Sequence, residues 1–221
     1  MQAKPLYLKE SRRIYRPEEA PQSAREEACQ IESEGLDPEW IAEGVFGTCN
    51  ETGIRGDLAR VGVNLETGRK SGPFWSTYPH AVSMTGSVVD LDKFLAYLEG
   101  ESKLTRNQVR RLRYVERDAG ISLTMRRRHG HGFGTTADYE SGYVEWPSAK
   151  IEEAEKALKE AWEDFVRDTV HEAGKALEAE IEYATKWETI AERLKDMGEG
   201  IDDNGRTFSL AECEEGEEGE D

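Results

Sequence analysis

The sequence predicts an α+β protein in which a small, mostly antiparallel sheet is covered by a long C-terminal amphipathic helix. Three observations predict it. From Ile151 to Ala184 the apolar residues recur with a period close to 3.6. Short β-type runs bounded by glycine stand at Arg60 to Leu65, Phe74 to Met84 and Ile121 to Met125. Helix start signals at Asp90 and Thr105 each precede an apolar stripe.

Taken in order, Ser23-Ala24-Arg25-Glu26 has capping-box spacing and opens a short helix that Gly35 can close. Asp37-Pro38 is a second start signal, with proline at the first helical position, and carries Trp40 and Ile41 to a stop at Gly44. Residues 44–88 are glycine-rich with short strand-like runs, and read as a small, irregular sheet. After Asp90, Leu91, Phe94, Leu95 and Leu98 form one apolar helix face. Thr105 to Gln108 is a capping box. In the helix it opens, Val109, Leu112 and Val115 face the core, while Arg106, Arg110, Arg113 and Arg117 form one stripe. Beyond Gly120, Ile121, Leu123 and Met125 alternate with Ser122, Thr124 and Arg126, a strand with Asp138 to Trp146 as its expected neighbour.

Pro147-Ser148 starts the long helix, with Trp162, Phe165 and Leu177 expected in the core. Strict heptads would put Asp168 and Glu172 in the seam, so a supercoil is not expected. Thr185 to Glu188 reads as a fresh capping box restarting the helix to Met197. Asp203-Asn204-Gly205 is a turn signal before a short strand at Thr207-Phe208. The expected organisation is an α+β domain over 1–146, the long helix with a short helix and hairpin over 147–208, and an acidic tail over 209–221. That tail is expected to be disordered, because its run AECEEGEEGED has no large apolar side chain to order it.

Charge is distributed unevenly. The chain has 221 residues, 34% of them charged, and a formal net charge of −17. Yet the stretch from Lys103 to Arg128 holds nine Lys and Arg against only Glu116 and Asp118, whereas 24 acidic residues follow Pro147. Two explanations compete for the basic island: a surface for phosphates, or an internal counter-charge for the acidic face of residues 152–182. High local concentration within one chain favours the internal partner. No window approaches the roughly 18 apolar residues of a membrane span, and the start carries no apolar signal region. Three scattered cysteines offer no disulfide framework, which fits a reducing cytoplasm.

The run LEAEIEYATKWETIAERLKDMGEGIDDNGRTF, Leu177 to Phe208, resembles the C-terminal end of small uncharacterised proteins of phages and mobile elements. Glu182-Tyr183, Thr185 and Asn204-Gly205-Arg206 carry the resemblance. It implies a mobile-element setting in a bacterial cytoplasm and brings no catalytic residues.

Motifs for chemistry are sparse. His129-Gly130-His131 could contribute to a metal site with Asp138, but no third His or Cys stands nearby. Gly130, Gly132 and Gly134 lack the helix and lysine of a phosphate loop. His171-Glu172 lacks the second His of a zincin helix; Cys49 has no evident base, and His80 stands in a strand-like region. No metal, cofactor or catalytic residue is expected. The leading expectation is an accessory binding protein that blocks a host nucleic-acid-acting protein by presenting acid in place of phosphate to its basic cleft. The expected contacts are Glu178, Glu182, Tyr183, Trp187 and the tail residues Glu214, Glu215, Glu217 and Glu218. The alternative is a nucleic-acid-binding protein using Arg106, Arg110, Arg113, Arg117, Arg126 and Arg128, with an autoinhibitory acidic tail. A second alternative is an enzyme with a site in residues 44–88.

Overall fold

The computed structural model describes residues 6–7, 13–47, 51–66, 73–77, 80–128, 134–144 and 148–215. In chain order the elements are β1 Leu6–Tyr7, β2 Arg13–Ile14, α1 Gln22–Gly35, α2 Pro38–Phe46, α3 Gly53–Arg60, β3 Val63–Leu65, β4 Phe74–Thr77, β5 His80–Ser83 and β6 Gly86–Val88. Then come α4 Leu91–Gly100, α5 Arg106–Ala119, β7 Ile121–Arg127, β8 Thr135–Ser141, α6 Ala149–Thr185, α7 Trp187–Met197, β9 Glu199–Ile201, β10 Thr207–Ser209, a 3-10 turn Leu210–Glu212 and β11 Glu214–Glu215. The class is α+β. The chain divides into two compact units, Glu39–Glu178 and Met1–Pro38 with Ala179–Asp221. This is a different division from boundaries at 146 and 208.

The larger unit is built on an antiparallel sheet in the order β3-β6-β7-β8. Val63 pairs with Val88, Gly86 with Met125, and Leu123 with Tyr139. A separate hairpin joins β4 to β5. Alternation along β7 sends Leu123 and Met125 into the core while Ser122 and Arg126 face out. The N-terminal part of α6 covers this sheet: the Trp162 indole N–H donates to the Thr124 carbonyl at 3.2 Å, and the Tyr139 hydroxyl donates to Glu155 Oε1 at 2.7 Å. Trp162 is fully buried, and Phe94 meets it edge to face with ring centroids 5.4 Å apart. Burial of that one side chain is worth about 1.5–3 kcal/mol in apolar transfer.

The smaller unit has its own core, made by Ala20, Ala24, Ala28, Ile190, Leu194 and Ile201. Arg25 lies over the Trp187 ring at 5.5 Å, and Arg193 pairs with Glu32 at 2.7 Å. The β9–β10 turn is held by Asp202, whose Oδ1 accepts from the backbone N–H groups of Asn204 and Arg206. Gly205 sits there at φ +71°, where a Cβ would lie 2.3 Å from the Ala28 nitrogen. No other residue fits.

Several local readings need correction. Ser23 forms no capping box: α1 begins one residue earlier, flanked by Pro21 with no side-chain cap. Gly44 does not stop α2, which continues to Phe46 because Val45 and Phe46 are buried. Residues 53–60 are helix rather than sheet, so β3 starts only at Val63. The neighbour of β7 is Thr135–Ser141, set by a register that pairs Arg127 with Thr135. The chain does break at Thr185-Lys186, but the Thr185 hydroxyl donates back to the Ile181 carbonyl at 2.9 Å and makes no box. Phe165 is half-buried, not a core residue. Part of the acidic tail has structure, since Glu214–Glu215 pair antiparallel with Leu6–Tyr7.

Candidate functional site

The most chemically distinctive surface begins at the Thr105 cap. The Thr105 side chain accepts from the Gln108 N–H, and Gln108 Oε1 accepts from the Thr105 N–H at 2.8 Å. That fixes where α5 starts and therefore its rotational phase. Val109, Leu112 and Val115 are buried on one face, so the residues opposite them must face water. Arg106, Arg110, Arg113 and Arg117 are all exposed.

Arg110, Arg111, Arg113, Tyr114 and Arg117 line a cleft of about 560 Å³ together with Ser148, Lys150 and Ile151 from the start of α6. Five of these eight side chains are cations and none is a carboxylate. The Arg117 guanidinium lies over the Tyr114 ring, 6.0 Å from its centroid, and the ring packs on the Val115–Val144–Ile151 cluster, so Tyr114 seats Arg117 at the wall of the cleft. Ile151 anchors the α6 side of the cleft in a buried cluster with Val115 and Val144. The charged rim is thereby carried on two elements locked to one core.

The counter-charge expectation fails here. Among the described residues no ion pair joins the α5 stripe to the carboxylates of 152–182. Arg113 pairs instead with Asp92 at 2.7 Å, with both side chains largely exposed, and Arg126 with Asp138 at 3.7 Å. The carboxylates of α6 are engaged elsewhere: Asp164 pairs with Arg167 at 2.7 Å and Glu172 with Lys175 at 2.9 Å within the helix, and Glu155 accepts from Tyr139 and Ser141 of β8.

The structure therefore brings together Arg110, Arg113 and Arg117, and adds Arg111 and Lys150. Arg106, Arg126 and Arg128 stand outside the lining, although all are exposed. Lys150 had no signal in sequence, because only tertiary structure sets it beside α5. Of the acidic candidates, Glu178 and Glu182 are placed on α6, where Tyr183 is 58% exposed. Trp187 is half-buried against the smaller unit's core. Glu214 and Glu215 belong to β11; Glu217 and Glu218 lie outside the described residues, as do His129, Gly130, His131, Gly132 and Cys49.

Among the described residues no group of three or more His, Cys, Asp or Glu is placed to hold a metal ion. In the 44–88 region glycine has a steric explanation: Gly53 adopts φ +58°, and a Cβ there would lie 2.7 Å from the Gly47 nitrogen. Among the described residues no helix is long and apolar enough to cross a membrane. Comparison with protein-family models, with curated proteins and with solved structures found no match.

Proposed function

We propose that the protein binds the phosphate backbone of nucleic acid through the α5 cleft. One observation carries this reading: Arg110, Arg111, Arg113, Arg117 and Lys150 line a single cleft that contains no carboxylate. Guanidinium groups take phosphate oxygens bidentately, and the Tyr114 ring under Arg117 holds one of them at the cleft wall. The overall charge of −17 does not defeat this. At physiological ionic strength charges are screened beyond about 8 Å, so the field in the cleft is set by the residues lining it.

The test is anisotropy of a labelled single-stranded oligonucleotide titrated with the full chain at several salt concentrations. Binding should weaken steeply with salt. In the Arg110→Ala/Arg117→Ala variant the slope of log affinity against log salt should fall by about 1.4, at about 0.7 for each phosphate no longer neutralised. No binding at low salt, or an unchanged slope in that variant, would reject the reading.

A second reading keeps the acidic surface as the working one: a phage or mobile-element accessory protein that blocks a host nucleic-acid-acting protein by occupying its basic cleft. Exposure of Tyr183 beside Glu182 favours it, because an aromatic ring amid acid supplies the apolar anchor that charge alone lacks. Capture of a basic partner that survives Arg110→Glu/Arg117→Glu but is lost in Glu182→Lys/Tyr183→Ala would decide for it.

A further inference from the structure

A second cavity in the larger unit has the opposite chemistry. It holds about 360 Å³, within the usual range of small-molecule sites. Its walls are apolar and come from three helices: Ile54 and Leu58 of α3, Tyr97 and Leu98 of α4, and Ala161 and Phe165 of α6. The Tyr97 and Phe165 rings meet edge to face with centroids 5.7 Å apart, backed by Phe94 and Trp162. Phe165 lies on the apolar stripe of α6 and yet is only half-buried, since the neighbour that would complete its burial is this open space.

The mouth is acidic. Asp57, Asp164, Asp168 and Glu172 line it, against Lys103 alone. Each carboxylate has a partner on its own helix: Arg60 for Asp57, Arg167 for Asp164 and Asp168, and Lys175 for Glu172. None of those three cations lines the cavity. Such exposed pairs are worth little, so a second cation can share the carboxylates at small cost. The Tyr97 hydroxyl lies within reach of one of them: its pKa is raised first by burial, then by Glu101 outside the lining, then by Asp168.

From these features we infer a binding site for a small organic cation with a flat apolar body, an arylalkyl ammonium. Its ring would occupy the space beside Phe165 and Tyr97, and its ammonium would sit at the mouth among Asp57, Asp164, Asp168 and Glu172. An anionic ligand is disfavoured by four carboxylates. A neutral one would leave their field unused, and a cation over aromatic faces gains in addition from the ring quadrupole. The inference is independent of the α5 cleft, whose lining shares no residue with this cavity.

The experiment uses the full chain labelled for NMR, titrated with phenylpropyltrimethylammonium, phenylpropanol and phenylpropanoate. The expected result is saturable binding of the ammonium compound, with shifts confined to residues around Tyr97, Ala161 and Phe165. The alcohol should bind about tenfold more weakly, a difference of about 1.4 kcal/mol, and the carboxylate not detectably. Asp164→Asn/Asp168→Asn should bring the ammonium compound down to the alcohol's affinity with an unchanged melting temperature. Tyr97→Leu should weaken the ammonium compound more than the alcohol. Equal affinity for all three compounds, shifts located elsewhere, or no saturable binding would overturn the inference. So would tighter binding of a tetralysine peptide than of the small cation, which would point to a protein partner instead.

Discussion

Helix α6 contributes to two cavities of opposite character, and the contrast between them shows how one amphipathic helix can serve two chemistries. At its start, Lys150 and Ile151 border the α5 cleft, where cations stand together without carboxylates. Three turns on, Ala161, Phe165 and Thr169 border the α3–α4 cavity, where an apolar floor is ringed by acid. In the first, like charges crowd one another, an arrangement that costs stability unless an anion joins them. In the second, each carboxylate has only an exposed partner on its own helix, and apolar surface lies open beside it. The basic cleft is therefore the more salt-sensitive site and the acidic-rimmed cavity the more shape-sensitive one.

The largest effect should come from the residue that holds α6 to the sheet behind the apolar cavity. Trp162→Ala removes a fully buried indole and its bond to the Thr124 carbonyl, and should cost about 3–5 kcal/mol in urea unfolding. A loss under about 1 kcal/mol would mean that α6 is not seated as described. Next comes a pH effect on the same interface. The Tyr139 phenol is held well above its ordinary value of 10, first by burial and then by its hydrogen bond and proximity to Glu155, with Ser141 acting in the opposite direction. Above pH 10 the unfolded chain releases this proton while the folded chain keeps it. The stabilisation is therefore complete below that pH and is lost as pH rises toward the folded value. Tyr139→Phe should flatten the alkaline limb of a stability–pH curve, and an unchanged limb would remove Tyr139 as its source. Thr105→Ala ranks third. It opens the capping box of α5 and should cost about 1 kcal/mol in the same unfolding measurement. Because the cap also sets the phase of the arginines, it should weaken the basic cleft and leave the acidic-rimmed cavity untouched.

The two regions were unequally legible in sequence. α5 could be read because its cap, its buried stripe and its arginines all follow from spacings within one short helix. The Phe165 cavity could not. Periodicity places Phe165 on the inner face of α6, but whether that face is covered depends on α3, and the sequence GIRGDLAR has two glycines that argue against a helix. Leu58 of α3 is nonetheless buried, so tertiary packing overrides propensity there. Lys150 was invisible for a related reason: its neighbours in the cleft lie far back along the chain, and the β7–β8 hairpin between them sets the approach. The counter-charge reading failed because a charge count gives no direction. Net charges of segments say how much acid is near in the chain, whereas tertiary packing decides which acid the arginines meet, here Asp92 of α4.

That last point yields the smallest and most discriminating prediction. Asp92 is the carboxylate that meets the α5 stripe, pairing through Oδ1 with the Arg113 guanidinium at 2.7 Å while both side chains stay largely exposed. An exposed pair of this kind contributes about 0–1 kcal/mol, so Asp92→Asn should barely move the unfolding midpoint. Its electrostatic effect on the cleft runs the other way: a negative charge leaves the margin, and Arg113 is released to meet an incoming phosphate. Oligonucleotide affinity at low salt should rise by about two- to fivefold, and the gain should vanish as salt approaches physiological strength. If affinity falls instead, Asp92 orients Arg113 for binding, and the pair is part of the recognition surface. If affinity is unchanged at every salt concentration, Arg113 does not meet the bound phosphates, and the cleft works through Arg110, Arg111, Arg117 and Lys150 alone.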